Sequence, residues 1–487
     1  MKRFWLILLT LGLFMTFDTP VFAADVKVTG SYYVAGIYQN NTSFVTNAEK
    51  PSTAFYYQRL RVQTDFIATP ALRLVTRFDA MERIWGHARS TVPLVITNDV
   101  DSAGTRAENE NIAFDWAYIW YVSKIGLWQV GVMEDGVWGT VFADNAAPEL
   151  KITWTAVKMP FIAGLQVVKI EENSKAFMNM APYGTQTDVD VDEYQGFFIF
   201  NWKSGKAGLL GVYHRSAISR PWSVSPLVSD GYKTDIFVLE PYVKAKIGPV
   251  SVEAEIDYAF GKLAKWENGV IDTITGLPKN DVKVNNLMAY VDVVADFDMF
   301  YVGGTFAFMD GDKPETKDKI EGGVLDGGRD WNPCLLMFNW ERAYWAGTLP
   351  GYLPGGVLGL VATEPNMGGV MNNAWFGQIR AGVRPILNLD IMGSVSYAKA
   401  VRNASVAPAS LLPDALAGFG GTDLTNERDY GWEIDVVATY KITNNLNYML
   451  GGAYFFTGDY YKGKVAPGAP NDVEDNYLII NKLTFTF

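Results

Sequence analysis

Polar and apolar positions alternate with a period of two through much of the chain. In one segment, Trp432, Ile434, Val436, Ala438, Tyr440 and Ile442 fall on one face. Glu433, Asp435, Thr439 and Lys441 fall on the other, and Val437 alone breaks the rule. Likewise Val250, Val252, Ala254, Ile256, Tyr258 and Phe260 oppose Ser251, Glu253, Glu255 and Asp257. A tilted strand needs about 9–11 residues to cross a bilayer, whereas strands of soluble sandwiches usually run to about 5–6. The alternation here persists over the longer distance. It predicts ribbons whose apolar side meets lipid and whose polar side meets an enclosed, wet lumen.

The same pattern predicts eighteen strands, beginning near Val26, Phe55, Leu72, Ile112, Leu127, Leu150, Phe161, Tyr194, Lys206, Lys233, Val250, Val282, Met299, Asn373, Leu387, Asp429, Leu446 and Val473. Sixteen is the alternative if two of the weaker segments fail, and Phe161 to Glu171 is one of these because its alternation is blurred. Tight joints such as Thr69-Pro70, Met159-Pro160, Gly248-Pro249 and Asn444-Asn445 carry turn residues. They alternate with long connections rich in Gly, Pro, Asn and Asp. The expected fold is all-β: a transmembrane antiparallel barrel with short periplasmic turns and long extracellular loops. An even strand number puts both termini on the periplasmic side. The last strand, with Tyr477, Ile479, Leu483, Phe485 and Phe487 on one face, is expected to close against the first, so that no edge is left unpaired.

The start of the chain reads as an export signal. Lys2 and Arg3 precede an apolar stretch from Phe4 to Phe17, and Val21-Phe22-Ala23 offers a cleavage site after Ala23. The expected layout is a signal peptide over 1–23 and one barrel domain over 24–487, with no linker between ordinary domains. The connection 310–372 is a long aromatic- and Gly-rich insertion, expected to close the mouth as a lid, latch onto a neighbouring subunit, or bind a ligand.

Composition narrows the function. The chain is 49% hydrophobic and 14% aromatic, yet no run past the signal is long and apolar enough for a membrane helix. A net charge of -12 argues against a nucleic-acid partner. A single cysteine, Cys334, excludes an internal disulfide framework and reads as a small buried or loop residue. Only two histidines, His87 and His214, are present, which leaves little material for a metal or triad site. No cofactor is expected.

On Val21-Phe22-Ala23, the amphipathic strands and the terminal Tyr477…Phe485-Thr486-Phe487, the chain resembles the outer-membrane porin superfamily of Gram-negative bacteria. With its overall layout and the loop Asp330-Trp331-Asn332-Pro333, it is similar to the homotrimeric porins of sulfate-reducing and related bacteria. The resemblance implies an outer-membrane location among lipid and lipopolysaccharide, a homotrimer, and a third loop folded into the pore. It also implies recognition of Tyr477, Phe485 and Phe487 by the barrel-assembly machinery.

A pore needs fixed charges at a constriction, not a nucleophile. Tyr57, Arg59, Arg61, Gln63 and Asp65 alternate with lipid-facing Tyr56, Leu60, Val62 and Phe66. On the next strand Arg73, Arg77, Asp79 and Arg83 oppose Leu72, Leu74, Phe78 and Ala80. These five arginines either line the constriction or neutralise carboxylates such as Asp65, Asp79 and Asp115. Glu134, Asp135, Asp144 and Glu149, on a stretch without Lys or Arg, either face the arginines from an inward third loop or belong to a solvated surface loop. The usual Pro-Glu-Phe-Gly-Gly run of the porin third loop is absent.

The leading reading is therefore passive diffusion of small hydrophilic solutes and ions. Its rivals are a substrate-specific channel for a sugar or organic acid, a barrel enzyme, and a closed structural barrel. An enzyme would need a histidine with an orienting acid, which neither His87 nor His214 shows in its sequence neighbourhood.

Overall fold

The computed structural model describes residues 25–42, 44, 52–86, 112–173, 188–218, 232–267, 279–313, 316, 318–347, 369–403, 427–462 and 472–487. The export signal, the cleavage site and His87 lie outside the described residues. Within them, eighteen antiparallel strands form one closed barrel. These are β1 (Asp25–Gln39), β2 (Thr53–Thr69), β3 (Leu72–Ile84), β4 (Ala113–Ser123), β5 (Gly126–Asp135), β6 (Ala147–Lys158), β7 (Phe161–Glu171), β8 (Val191–Trp202) and β9 (Gly205–Ser216). The circuit continues through β10 (Tyr232–Ile247), β11 (Val250–Trp266), β12 (Val282–Asp296), β13 (Phe300–Met309), β15 (Ala374–Ile386), β16 (Leu389–Ala400), β17 (Asp429–Thr443), β18 (Leu446–Thr457) and β19 (Asn476–Thr486).

A nineteenth strand, β14 (Lys319–Ile320), is a two-residue piece that lies parallel to β12 and leaves β13 paired to β15. The sequence pattern did not predict it, because two residues carry no period. The blurred segment Phe161–Glu171 is a full strand, hydrogen-bonded on both sides. Its register, rather than its alternation, secures it.

Closure is by β1 against β19, with Tyr32 opposite Phe485 and Tyr38 opposite Ile479. Every strand thus satisfies its backbone groups within the sheet, as a bilayer requires.

The outer surface is apolar: Phe114, Leu165, Ile379 and Val436 are each more than half exposed. A belt of that extent is incompatible with bulk water. Stacked aromatics border it at both ends. Phe161, Phe198, Phe200 and Trp202 lie near the short turns, and Tyr56 with Trp85, Tyr397 with Trp432 and Tyr454 with Phe456 near the long connections. Such girdles mark the two membrane interfaces.

Inside, the described residues of the long insertion pack into the barrel. Trp331, Cys334, Leu336, Met337 and Phe338 are buried against the lumen-facing Ile37, Tyr57, Met309, Phe376 and Phe455. For this segment, expected as a lid, a latch or a ligand site, the described residues pack within the barrel. Each large apolar side chain buried here contributes on the order of 1.5–3 kcal/mol. A short helix, α1 (Trp340–Ala346), is started by Asn339, whose side chain accepts from the Arg342 amide at 2.7 Å. Trp345 then stacks on Tyr57 with ring centroids 4.6 Å apart.

Candidate functional site

Strands β2 to β4 build one wall of the lumen. Period-two alternation turns Arg59, Arg61, Arg73 and Arg77 inward, where each meets a carboxylate. Arg61 donates to Asp79 through two nitrogens, at 2.7 and 2.6 Å, and reaches Asp115 at 3.3 Å. Arg77 pairs with Asp115 at 3.3 Å, Arg73 with Asp65 at 3.3 Å and Arg59 with Glu82 at 3.6 Å. Aromatic rings support the same groups: the Arg77 guanidinium lies 3.5 Å from the Trp116 ring centroid and Arg73 lies 4.2 Å from that of Trp120. The side chains of Arg59, Arg61 and Arg73 remain 31–34% exposed, whereas Arg77 is at 9%. The arginines thus pair with wall carboxylates, and three of them keep about a third of their side-chain surface uncovered.

Arg83 departs from the expectation. Met81 adopts a φ of 56° and the β2–β3 register shifts between Gln58 and Leu60. This bulge inserts a residue, so alternation inverts beyond it. Glu82 points inward to Arg59, and Arg83 lies opposite Gln58, on the outer face with Tyr56. A single residue in the left-handed region is invisible to a periodicity argument.

The third connection, residues 136–146, does enter the lumen. The Trp138 indole donates to the Glu240 carbonyl at 2.8 Å and packs edge-on against Tyr242. The Thr140 amide donates to Glu255 at 2.5 Å, and Phe142 stacks on Tyr290 at 5.0 Å. Burial of Trp138 and Phe142 thus draws the loop to the β10–β12 wall.

Its acids scatter accordingly. Asp144 accepts from the Trp138 amide at 2.8 Å. Burial pushes its carboxyl up to about 7, with Glu255 and Asp330 adding to the rise and Lys244 opposing it. Asp135 pairs with Lys151 at 2.9 Å, and Glu149 sits on β6 opposite Met133. Glu134 is in electrostatic range of Arg77 of the ladder. The aromatic anchors hold the loop on the β10–β12 wall, where Asp144 meets the Trp138 amide, while Asp135 is held by Lys151.

The acid that does oppose the arginines, and that charge spacing did not single out, is Asp330 of the insertion. Burial raises its carboxyl, while Arg61, Arg329 and Arg77 act to lower it. The Asp330 amide donates to the Asp144 carbonyl at 3.0 Å, so the two inserted segments brace each other. Beside the third connection a cavity of about 350 Å³ remains, lined among others by Trp116, Tyr118, Glu134, Trp138, Lys151 and Phe197.

His214 also has an acid partner that its sequence neighbourhood does not reveal: Glu193, across the β8–β9 pair, at 2.8 Å. Among the described residues, no hydroxyl or thiol hydrogen-bonds the ring. At the closing seam, Tyr477, Phe485 and Phe487 present exposed rings on the outer face, and Phe487 exchanges backbone bonds with Gly30.

No family model matches the sequence, and no curated protein matches it. Several solved structures are similar to it. OccK2 (OpdF) of Pseudomonas aeruginosa has a TM-score of 0.48 at 9% identity, covering 95% of this chain and 98% of its own. The anion-selective porin from Comamonas acidovorans has a TM-score of 0.42 at 10% identity, covering 95% and 100%. The outer membrane channel DcaP of Acinetobacter baumannii has a TM-score of 0.41 at 9% identity, covering 96% and 98%. At these values the likeness says nothing about solutes.

Proposed function

We propose that the chain is an outer-membrane porin through which small hydrophilic solutes and ions diffuse passively. The observation that carries this reading is the sidedness of the closed barrel. Its outer face is an apolar belt between aromatic girdles, and its inner face bears paired charges with Arg59, Arg61 and Arg73 open to the lumen. In this reading Arg59, Arg61, Arg73, Arg77 and Asp79, with Glu134 and Asp330, set the local field at the narrowed level. Tyr477, Phe485 and Phe487 form the barrel-assembly signal. The protein works as a homotrimer among lipid and lipopolysaccharide, is exported through a cleaved signal, and performs no catalysis. Purified protein in liposomes should give swelling rates that fall smoothly with solute size.

A second reading, a substrate-specific channel, is favoured by the two inserted segments and by the aromatic cavity beside the third connection. It predicts that one solute class, such as a sugar or an organic acid, blocks ion current in planar bilayers at low concentration.

A further inference from the structure

Where the insertion meets β15 to β17, its apolar packing encloses a polar contact closed to water. Glu433 accepts the Leu336 and Met337 amides, each at 2.7 Å, one on each carboxylate oxygen. Asp435 follows two residues later on the same inward face and is 2% exposed. One of its oxygens is buried without a hydrogen-bond partner, and the other meets the Ser394 hydroxyl at 3.3 Å. Cys334 of the insertion is 3% exposed, and its sulfur accepts from the Gln378 side-chain amide of β15 at 4.0 Å. One ligand atom from each of Cys334, Glu433 and Asp435 lies within 4.8 Å of the other two.

Two adjacent carboxylates in such a place are costly unless a proton or a cation is shared between them. Among the described residues neither Glu433 nor Asp435 makes an ion pair. The buried guanidinium of Arg342 acts on Glu433 electrostatically and donates to the Gln39 side chain at 3.2 Å. We propose that Cys334, Glu433 and Asp435 form a transition-metal site, best suited to Zn²⁺, which ties the inserted segment to the barrel wall.

The donor set decides the metal class. A sulfur with two carboxylate oxygens suits Zn²⁺ and similar ions, while Ca²⁺ and Mg²⁺ take oxygen alone. The two backbone amides do not exclude Glu433, since each carboxylate oxygen keeps a second lone pair and the amides fix its orientation. Burial and the two carboxylates push the Cys334 thiol well up, so without metal it is neutral. Binding forms a metal–sulfur bond, releases to solvent both the thiol proton and the proton shared by the two carboxyls, and involves no redox change. The metal reaches the site as the segment docks.

The test refolds the full mature chain in detergent with one equivalent of Co²⁺ and records its absorption. Cys334 is the only cysteine in the chain, so a thiolate-to-cobalt charge-transfer band reports this residue and no other. The expected result is a band that saturates at one Co²⁺ per barrel and is bleached by Zn²⁺. It should vanish in Cys334→Ser, and at least a tenfold weaker affinity is expected in Asp435→Asn, with heat-modifiable gel migration confirming that each variant folds. Folded wild-type protein that shows no band in excess Co²⁺ would overturn the proposal, as would a band of unchanged affinity in folded Asp435→Asn. The first of these results needs no variant, so misfolding cannot mask the answer.

Discussion

Two walls of one lumen use the same alternation to different ends. On β2 to β4, charges from neighbouring strands pair with each other, and three arginines keep about a third of their side-chain surface open. On β15 to β17, Glu433 and Asp435 are closed off, and Glu433 spends both oxygens on backbone amides of the inserted segment. An inward charge is therefore a channel element where it is left uncovered and a docking element where a loop lies over it. The difference is made by the loops, not by the strands.

The contrast can be broken at the covered wall. Phe338 is fully buried between Phe376 and Tyr430, and Phe338→Ala should remove about 3–5 kcal/mol of packing. The segment should then leave the wall, which single-channel conductance registers as a rise and limited proteolysis as cleavage within residues 318–347. Glu433→Gln keeps the shape but loses one of two charge-assisted bonds, at a cost of about 1.5–3 kcal/mol. Its conductance should rise by less, and unchanged proteolysis would show that Glu433 does not hold the segment.

The third connection offers a pH handle. Asp144 is neutralised in the folded loop, with a carboxyl raised from the ordinary 3.8 to about 7. The folded state thus holds a proton that the released loop gives up. The stabilising contribution is complete below about pH 4 and is lost as pH rises through about 7. Current fluctuations from loop release should increase across that interval, and Asp144→Asn should weaken the dependence, leaving the part carried by Glu255 on the Thr140 amide. A wild-type trace equally quiet at pH 5 and pH 8 would contradict this.

At the open wall, Arg73→Ala should cost less than about 1 kcal/mol, because its pair with Asp65 is part-exposed. The zero-current potential in a salt gradient should move toward cations. Arg83→Ala should leave that potential unchanged, since its position opposite Gln58 is on the outer face.

The strands were legible because period two is a local property: each predicted strand has its counterpart, even the blurred β7. Arg61 and Arg77 were legible for the same reason. Arg83 was not, since the bulge at Met81 depends on one backbone angle. Nor was the partnership of Glu433 with residues 336 and 337, or of His214 with Glu193, because both join segments whose contact is set by packing. The inward path of the insertion had one visible sign, its density of Trp and Phe, but nothing in the sequence pointed to the wall it would choose.

The account stands or falls on ion flow through the lumen. Single-channel current from the purified barrel should be measured in planar bilayers over a range of KCl concentrations, beside Phe338→Ala. The expected result is a resistive conductance that grows in proportion to salt and is larger in the variant. A correctly folded barrel that passes no current, with the variant equally silent, would contradict it.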